Sequence, residues 1–300
     1  MTDSWEVPQP HAVFEVRAPD DTLLFVRRHG NPDGPRMILN HGNGLCMDAY
    51  YPFWSHFIDR FDIFVHDIRN HGWNPATDLR VHNVPTFVDD GALIVREIDR
   101  RFGGKPRIGV FHSLSGIVAL HQAMRGGSGF SALVLFDPPI CAPGGFPQDM
   151  EGVCSRLSVS TAKRRDRFES PEAFAERLSG NPAFGRMAPG VIDLFARTTL
   201  RRAADGGGYE LACPRDYEAQ AFGFLFIWTM TVDWEGVACP VKSIGGDPTI
   251  PYTYVPSLDL RELVFVDYDF IPETTHFLQF EEPERCAAMT LEFLEGRGLI

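Results

Sequence analysis

A serine held between a strand-like and a helix-like stretch, and a histidine near the end of the chain, could together do acyl-transfer chemistry. The run Arg107-Ile108-Gly109-Val110-Phe111 is short, apolar and β-branched, as a buried strand should be, whereas Gly116 to Met124 is apolar and rich in helix formers. Between them lies His112-Ser113-Leu114-Ser115-Gly116. A strand that turns sharply into a helix at a serine lifts that hydroxyl clear of the backbone. The helix N-terminus behind it presents N–H groups and positive dipole where an oxyanion would form. Ser113 is the preferred nucleophile. Residues two positions away should be small, because strand and helix pass close together; Ser115 meets that demand and Phe111 does not. Ser115 is the rival nucleophile, although it would lie inside the helix. In the plainer reading Ser113 only caps the helix. A serine hydroxyl is a weak nucleophile and needs an adjacent base, for which His276 is the candidate.

The elements that must position these groups alternate in type. His11 to Arg17 and Thr22 to Arg28 read as a hairpin about Pro19-Asp20-Asp21, and Arg36 to Asn40 reads as a third strand running into His41-Gly42-Asn43-Gly44. A helix is expected over Tyr50 to Ile58, a strand over Phe61 to His66, and a helix over Thr86 to Arg101, where Phe87, Ile94 and Ile98 have helical spacing. After the Ser113 strand and helix, Ala132 to Phe136 is the next strand, closed by Asp137-Pro138-Pro139. Strands alternating with helices predict a mostly parallel sheet with helices on both faces. From 140 to 234 the strand rhythm stops, and Pro171 to Leu178, Val191 to Arg202 and Arg215 to Met230 read as helices of an inserted cap. The core, 1–139 and 235–300, then resumes with strands expected at Val241 to Ile244 and Leu263 to Val266, and a closing helix from Glu282 to Glu295.

Composition sets bounds on partners. The 300 residues suffice for one large α/β domain with an insertion, and the net charge of -12 argues against nucleic acid or an anionic membrane as partner. The one short basic run, Lys163-Arg164-Arg165, reads as a solvated helix face. No apolar stretch is long enough to span a bilayer and no signal core opens the chain. Six scattered cysteines (Cys46, Cys141, Cys154, Cys213, Cys239, Cys286), none in a C-x-x-C pair, predict reduced, mostly buried thiols and a cytoplasmic location. His66, Asp67 and His71 could suggest a metal, but match no closed ligand set, so a hydrogen-bonded loop is expected and no metal or cofactor. A homo-oligomer is left open.

Taken in order, the motifs resemble those of the α/β-hydrolase superfamily over nearly the whole chain outside the cap. His41-Gly42-Asn43-Gly44 resembles the loop that supplies one oxyanion-hole N–H. Asp67-Ile68-Arg69-Asn70-His71-Gly72 is similar to D-x-R-G-x-G, with Asn70 at the usual glycine. His112 to Gly116 resembles the nucleophile elbow, Asp137-Pro138 the common D-P after the next strand, and His276-Phe277 through Glu281-Glu282-Pro283 the H-F-x-x-x-E-x-P ending. The resemblance implies an α/β-hydrolase fold and a Ser-His-Asp triad of Ser113, His276 and an acid. Asp247 is preferred as that acid, since it precedes Pro251 by four as in G-x-x-D-x-x-x-P, although the loop is shortened; Asp137 is the runner-up. The backbone N–H groups of Asn43 and Leu114 would form the oxyanion hole. His41 is read as structural and His112 as orienting the elbow.

The expected function is a serine hydrolase acting on an ester, thioester or lactone of an apolar or aromatic small molecule through an acyl-enzyme on Ser113. The alternatives are C–C bond hydrolysis with the same triad and a non-catalytic small-ligand-binding protein of the same fold. A serine at the elbow disfavours the haloalkane dehalogenase and epoxide hydrolase branches, which use aspartate there. Tyr217 to Met230 is apolar on nearly every side, so Phe222, Phe226 and Trp228 are expected to line the pocket. No Arg or Lys lies between Tyr217 and Glu235, so this wall offers an anionic substrate no partner.

Overall fold

In the computed structural model the alternation resolves into one eight-stranded sheet. The structure describes residues 4–126, 129–140, 147–252 and 254–300. The strands are β1 (Ala12–Arg17), β2 (Leu23–Gly30), β3 (Arg36–Asn40), β4 (Asp62–His66), β5 (Arg107–His112), β6 (Phe130–Phe136), β7 (Arg167–Phe168), β8 (Leu200–Arg202), β9 (Tyr209–Leu211), β10 (Val241–Gly245) and β11 (Asp267–Phe270). The helices are α1 (Tyr51–Trp54), α2 (Val84–Phe102), α3 (Leu114–Met124), α4 (Pro147–Thr161), α5 (Pro171–Ser179), α6 (Val191–Thr199), α7 (Arg215–Met230), α8 (Leu278–Glu281) and α9 (Pro283–Gly296). The sheet order is β1-β2-β4-β3-β5-β6-β10-β11. The β1–β2 and β2–β4 pairings are antiparallel and the remaining pairings are parallel.

The parallel strands are covered on both faces, so β3, β4 and β10 are buried throughout. The period of two is visible in β5, where Val110 faces one apolar cluster and Phe111 the other. Val110 joins Phe53 and Trp54 of α1 and Phe293 of α9. Phe111 joins Ile94 and Ile98 of α2 and Leu120 of α3. Each buried aliphatic or Phe side chain contributes about 1.5–3 kcal/mol. Asn83 fixes the start of α2 by accepting from Thr86 N, with Pro85 in the first turn.

Between β6 and β10 the described chain forms α4 to α7 and a small sheet, β7-β9-β8, that propensity alone did not reveal. Val191 to Arg202 is helical only to Thr199, after which Leu200–Arg202 pairs with β9. The helix expected at Tyr50 to Ile58 shrinks to α1 between two 3₁₀ turns. The last strand is displaced: Leu263 to Val266 lies in turns with Val264 87% exposed, and Asp267–Phe270 forms β11 instead. Asp267 and Asp269 of this edge strand hold Lys242 Nζ at 2.8 and 2.5 Å, a charged border that discourages further pairing. Cys46, Cys154, Cys213 and Cys286 are buried free thiols and Cys239 is half-buried; Cys141 lies outside the described residues. No helix among the described residues is long and apolar enough to cross a membrane.

Candidate active site

Three neighbouring parallel strands, β3, β5 and β6, end side by side, and each delivers one part of the site. β3 runs into His41-Gly42-Asn43-Gly44, β5 into Ser113 and β6 into Asp137. Ser113 has φ 53° and ψ -117°, a strained backbone for a non-glycine residue, at the sharp turn from β5 into α3. Leu114 opens α3, so its N–H has no carbonyl a turn earlier to bond. Gly42 is required by close approach, since a Cβ there would lie 2.8 Å from His112 Nδ1 and 3.2 Å from Ser113 Cβ.

Ser113 Oγ is 3.0 Å from His276 Nε2, and His276 Nδ1 is 2.6 Å from Asp137 Oδ2. All three side chains are buried. Asp137 also accepts from Ser257 Oγ at 2.9 Å and Gly246 N at 3.3 Å. A serine, an imidazole and a carboxylate chained in this order can move the hydroxyl proton onto the ring as the oxygen attacks a carbonyl.

The preferred acid of the sequence reading is not the residue the structure brings to His276. Asp247 lies past the end of β10, one strand farther from β5 than Asp137. Its carboxylate is occupied by Thr249 N at 2.9 Å, Thr249 Oγ1 at 2.6 Å and Glu273 N at 2.9 Å. The shortened loop packs Gly246 so tightly that a Cβ would lie 2.5 Å from Thr275 O. Asp137 fills the place beside His276 instead.

Ser115 is structural in its bonding: Oγ is 3.0 Å from His112 N, Asn40 O and His112 O. Phe111, too large by the small-neighbour rule, is accommodated by Gly109, where a Cβ would lie 2.4 Å from the Phe111 ring. His112 bridges loops. Burial pushes its pKa well below the ordinary histidine value, so the ring is neutral. Nε2–H donates to His276 O at 2.9 Å, and Nδ1 accepts from Tyr50 OH at 2.6 Å. Tyr50 OH accepts from Gly42 N at 3.2 Å, which ties the β3 loop, the elbow and the His276 loop together.

The His66–Asp67–His71 segment forms a bonded loop. Burial would raise the Asp67 pKa, but Arg27 at 2.8 Å, His41 and the Met47 N–H together hold it well below the usual range. His71 Nδ1 donates to Arg69 O and Nε2 accepts from Gly44 N. A second group, His71, His82 and Cys213, has its ligand atoms within 4.8 Å of one another. Both His71 nitrogens are already bonded, and burial pushes the Cys213 thiol well above its usual value, so these donors suit a packed interior better than a cation.

Ser113 and His276 open onto a cavity of ≈ 560 Å³, roofed by the insertion. Asn43 lines it, with Nδ2 donating to Glu218 O at 2.9 Å. Of the three residues expected from α7, only Phe222 lines the cavity. Glu218 and Phe222, four apart, share the inward face of α7. Phe226 and Trp228 turn to the apolar cluster under α2 and α3, where Trp228 O accepts from His121 Nε2 at 2.9 Å. The basic run is not simply a solvated face: Arg164 reaches inward to bind Glu218, and Arg165 lines the cavity mouth. Arg177 and the Phe168, Phe174 and Phe184 rings also line it. They lie on segments whose positions depend on how the insertion packs, so sequence gave no local signal for them.

Over residues 37–289 the chain matches the model of a family described as the alpha/beta hydrolase family. It is 28% identical over 174 residues to lipase LipV of Mycobacterium tuberculosis, a match spanning 57% of this chain and 59% of the lipase. Among solved structures, E-2-(acetamidomethylene)succinate hydrolase superposes with a TM-score of 0.75 at 18% identity, covering 95% of this chain and 99% of that one. A thermophilic esterase from Thermogutta terrifontis with malate bound gives 0.64 at 18% identity, covering 95% and 98%. Likeness at these identities speaks to the fold.

Proposed function

The chain belongs to the alpha/beta hydrolase family, and on that premise we propose that it is a serine hydrolase that cleaves an ester, thioester or lactone through an acyl-enzyme on Ser113. The observation that carries this reading is the hydrogen-bonded chain Ser113–His276–Asp137 at 3.0 and 2.6 Å, buried at the floor of a cavity large enough for a small molecule.

In this reading His276 Nε2 takes the Ser113 proton as Oγ attacks the carbonyl carbon. Asp137 keeps the remaining ring proton on Nδ1 and stabilises the imidazolium. The N–H groups of Asn43 and Leu114 receive the oxyanion. His276 then protonates the leaving group. It next takes a proton from water, whose oxygen attacks the acyl carbon, and returns that proton to Ser113 Oγ as the C–Oγ bond breaks and the acid leaves. The aromatic walls hold an apolar or aryl portion of the substrate by buried area.

The test is a panel of neutral nitrophenyl esters with wild type and Ser113→Ala. Wild type should turn over, and Ser113→Ala should lose at least about a thousandfold in kcat/KM. Binding of the esters by wild type without turnover would favour a non-catalytic binding protein of the same fold.

A further inference from the structure

The acidic chain, with a formal charge of -12, places an excess of positive charge on its one catalytic-site cavity. The charged residues lining that cavity, apart from His276, are Arg164, Arg165, Arg177 and Glu218. Arg164 is spoken for: its guanidinium binds the buried Glu218 carboxylate, which also accepts from Tyr254 OH at 3.2 Å. Arg165 and Arg177 have no ion pair with a carboxylate among the described residues, and both are exposed at the mouth. Two cationic side chains thus remain for a ligand.

Their setting is specific. The Phe168 and Phe174 rings pack 4.3 Å apart in the cavity wall. The Arg165 guanidinium leans over Phe168, 6.0 Å from its centroid. Arg177 follows Phe174 by three on α5, which places it on the same helix face. An aromatic pair is therefore flanked by two arginines, while Ser113 lies at the buried floor. A guanidinium presents a planar fork of donors that matches a carboxylate.

We infer that Arg165 and Arg177 form an anion subsite, so that the substrate of Ser113 is an ester or thioester whose far end carries a carboxylate. Its apolar linker lies along Phe168 and Phe174, and its carbonyl reaches the floor. This rests on the serine-hydrolase reading for where the carbonyl sits, and it reverses the expectation drawn from the stretch Tyr217 to Glu235, which lacks cations. The recognising charges come from the segments around β7 and α5.

The test separates binding from chemistry. Monomethyl suberate and dimethyl suberate are titrated calorimetrically into Ser113→Ala, and into the same variant carrying Arg165→Gln and Arg177→Gln or Arg165→Lys and Arg177→Lys. The hemi-ester should bind about tenfold or more tightly than the diester. The preference should collapse with Gln and survive in part with Lys. Equal or weaker binding of the hemi-ester, no binding at millimolar concentration, or a preference that persists in the Gln variant overturns the inference. If wild type neither cleaves these esters nor reacts with a fluorophosphonate, the hydrolase reading fails, and the binding comparison still decides the subsite.

Discussion

Replacing Asp137 by Asn should separate it from Asp247 by a wide margin. The Asp137 carboxylate lies 2.6 Å from His276 Nδ1, with both side chains 5% exposed or less. An amide of the same size turns an N–H toward Nδ1 and favours the tautomer that carries its proton on Nε2, which cannot accept from Ser113. By analogy with other triads the loss in kcat is about 10⁴-fold, or about 5.4 kcal/mol of transition-state stabilisation. Asp247→Asn instead disturbs acceptor bonds to Thr249 and Glu273. It should lower stability by about 1–3 kcal/mol and change kcat only a few-fold. The assay is kcat for a nitrophenyl ester at saturation, with the melting temperature of each variant as a control for folding. A larger kcat loss at Asp247, or less than about a tenfold loss in folded Asp137→Asn, would refute the assignment.

Two further outcomes follow from the buried polar groups. Ser115→Ala should keep kcat within a few-fold while lowering stability by about 1–2 kcal/mol, because Oγ bonds His112 and Asn40 inside the fold; an unchanged melting temperature with lost activity would contradict this. Burial lowers the pKa of His29 and His66 to about 4 and of His82 to about 3. The folded state then binds fewer protons than the unfolded chain, so their contribution is complete above about pH 6.5 and falls as the pH drops toward these values, by about 1.4 kcal/mol per pH unit for each histidine. Chemical denaturation between about pH 6.5 and pH 5 should show this slope, and a flat profile there would contradict it.

Much of the site was legible because it is local. Ser113 is marked by the strand before it and the helix after it, and His276 by the residues that follow it. Which aspartate lies beside His276 was not legible, because both aspartates follow strands and the choice depends on which strand lies next to β5 in the sheet. The shortened loop at Gly245-Gly246-Asp247 was the one signal, and it points away from Asp247. Phe226 and Trp228 were misplaced because α7 is apolar on several sides and only its packing shows which face meets the cavity. Arg165 and Arg177 became visible only once the segments around β7 and α5 had closed over Ser113. The run Leu263 to Val266 has strand propensity, yet the residues that pair with β10 are Asp267 to Phe270, whose charges suit an edge.

The central claim is that Ser113 is a nucleophile activated by His276. Labelling the pure protein with a fluorophosphonate and mapping the adduct by peptide mass spectrometry tests it most directly. A single adduct on Ser113, abolished by Ser113→Ala, strongly slowed by His276→Ala and retained by Ser115→Ala, is the expected result. An adduct on Ser115, or no adduct on wild type, would contradict it.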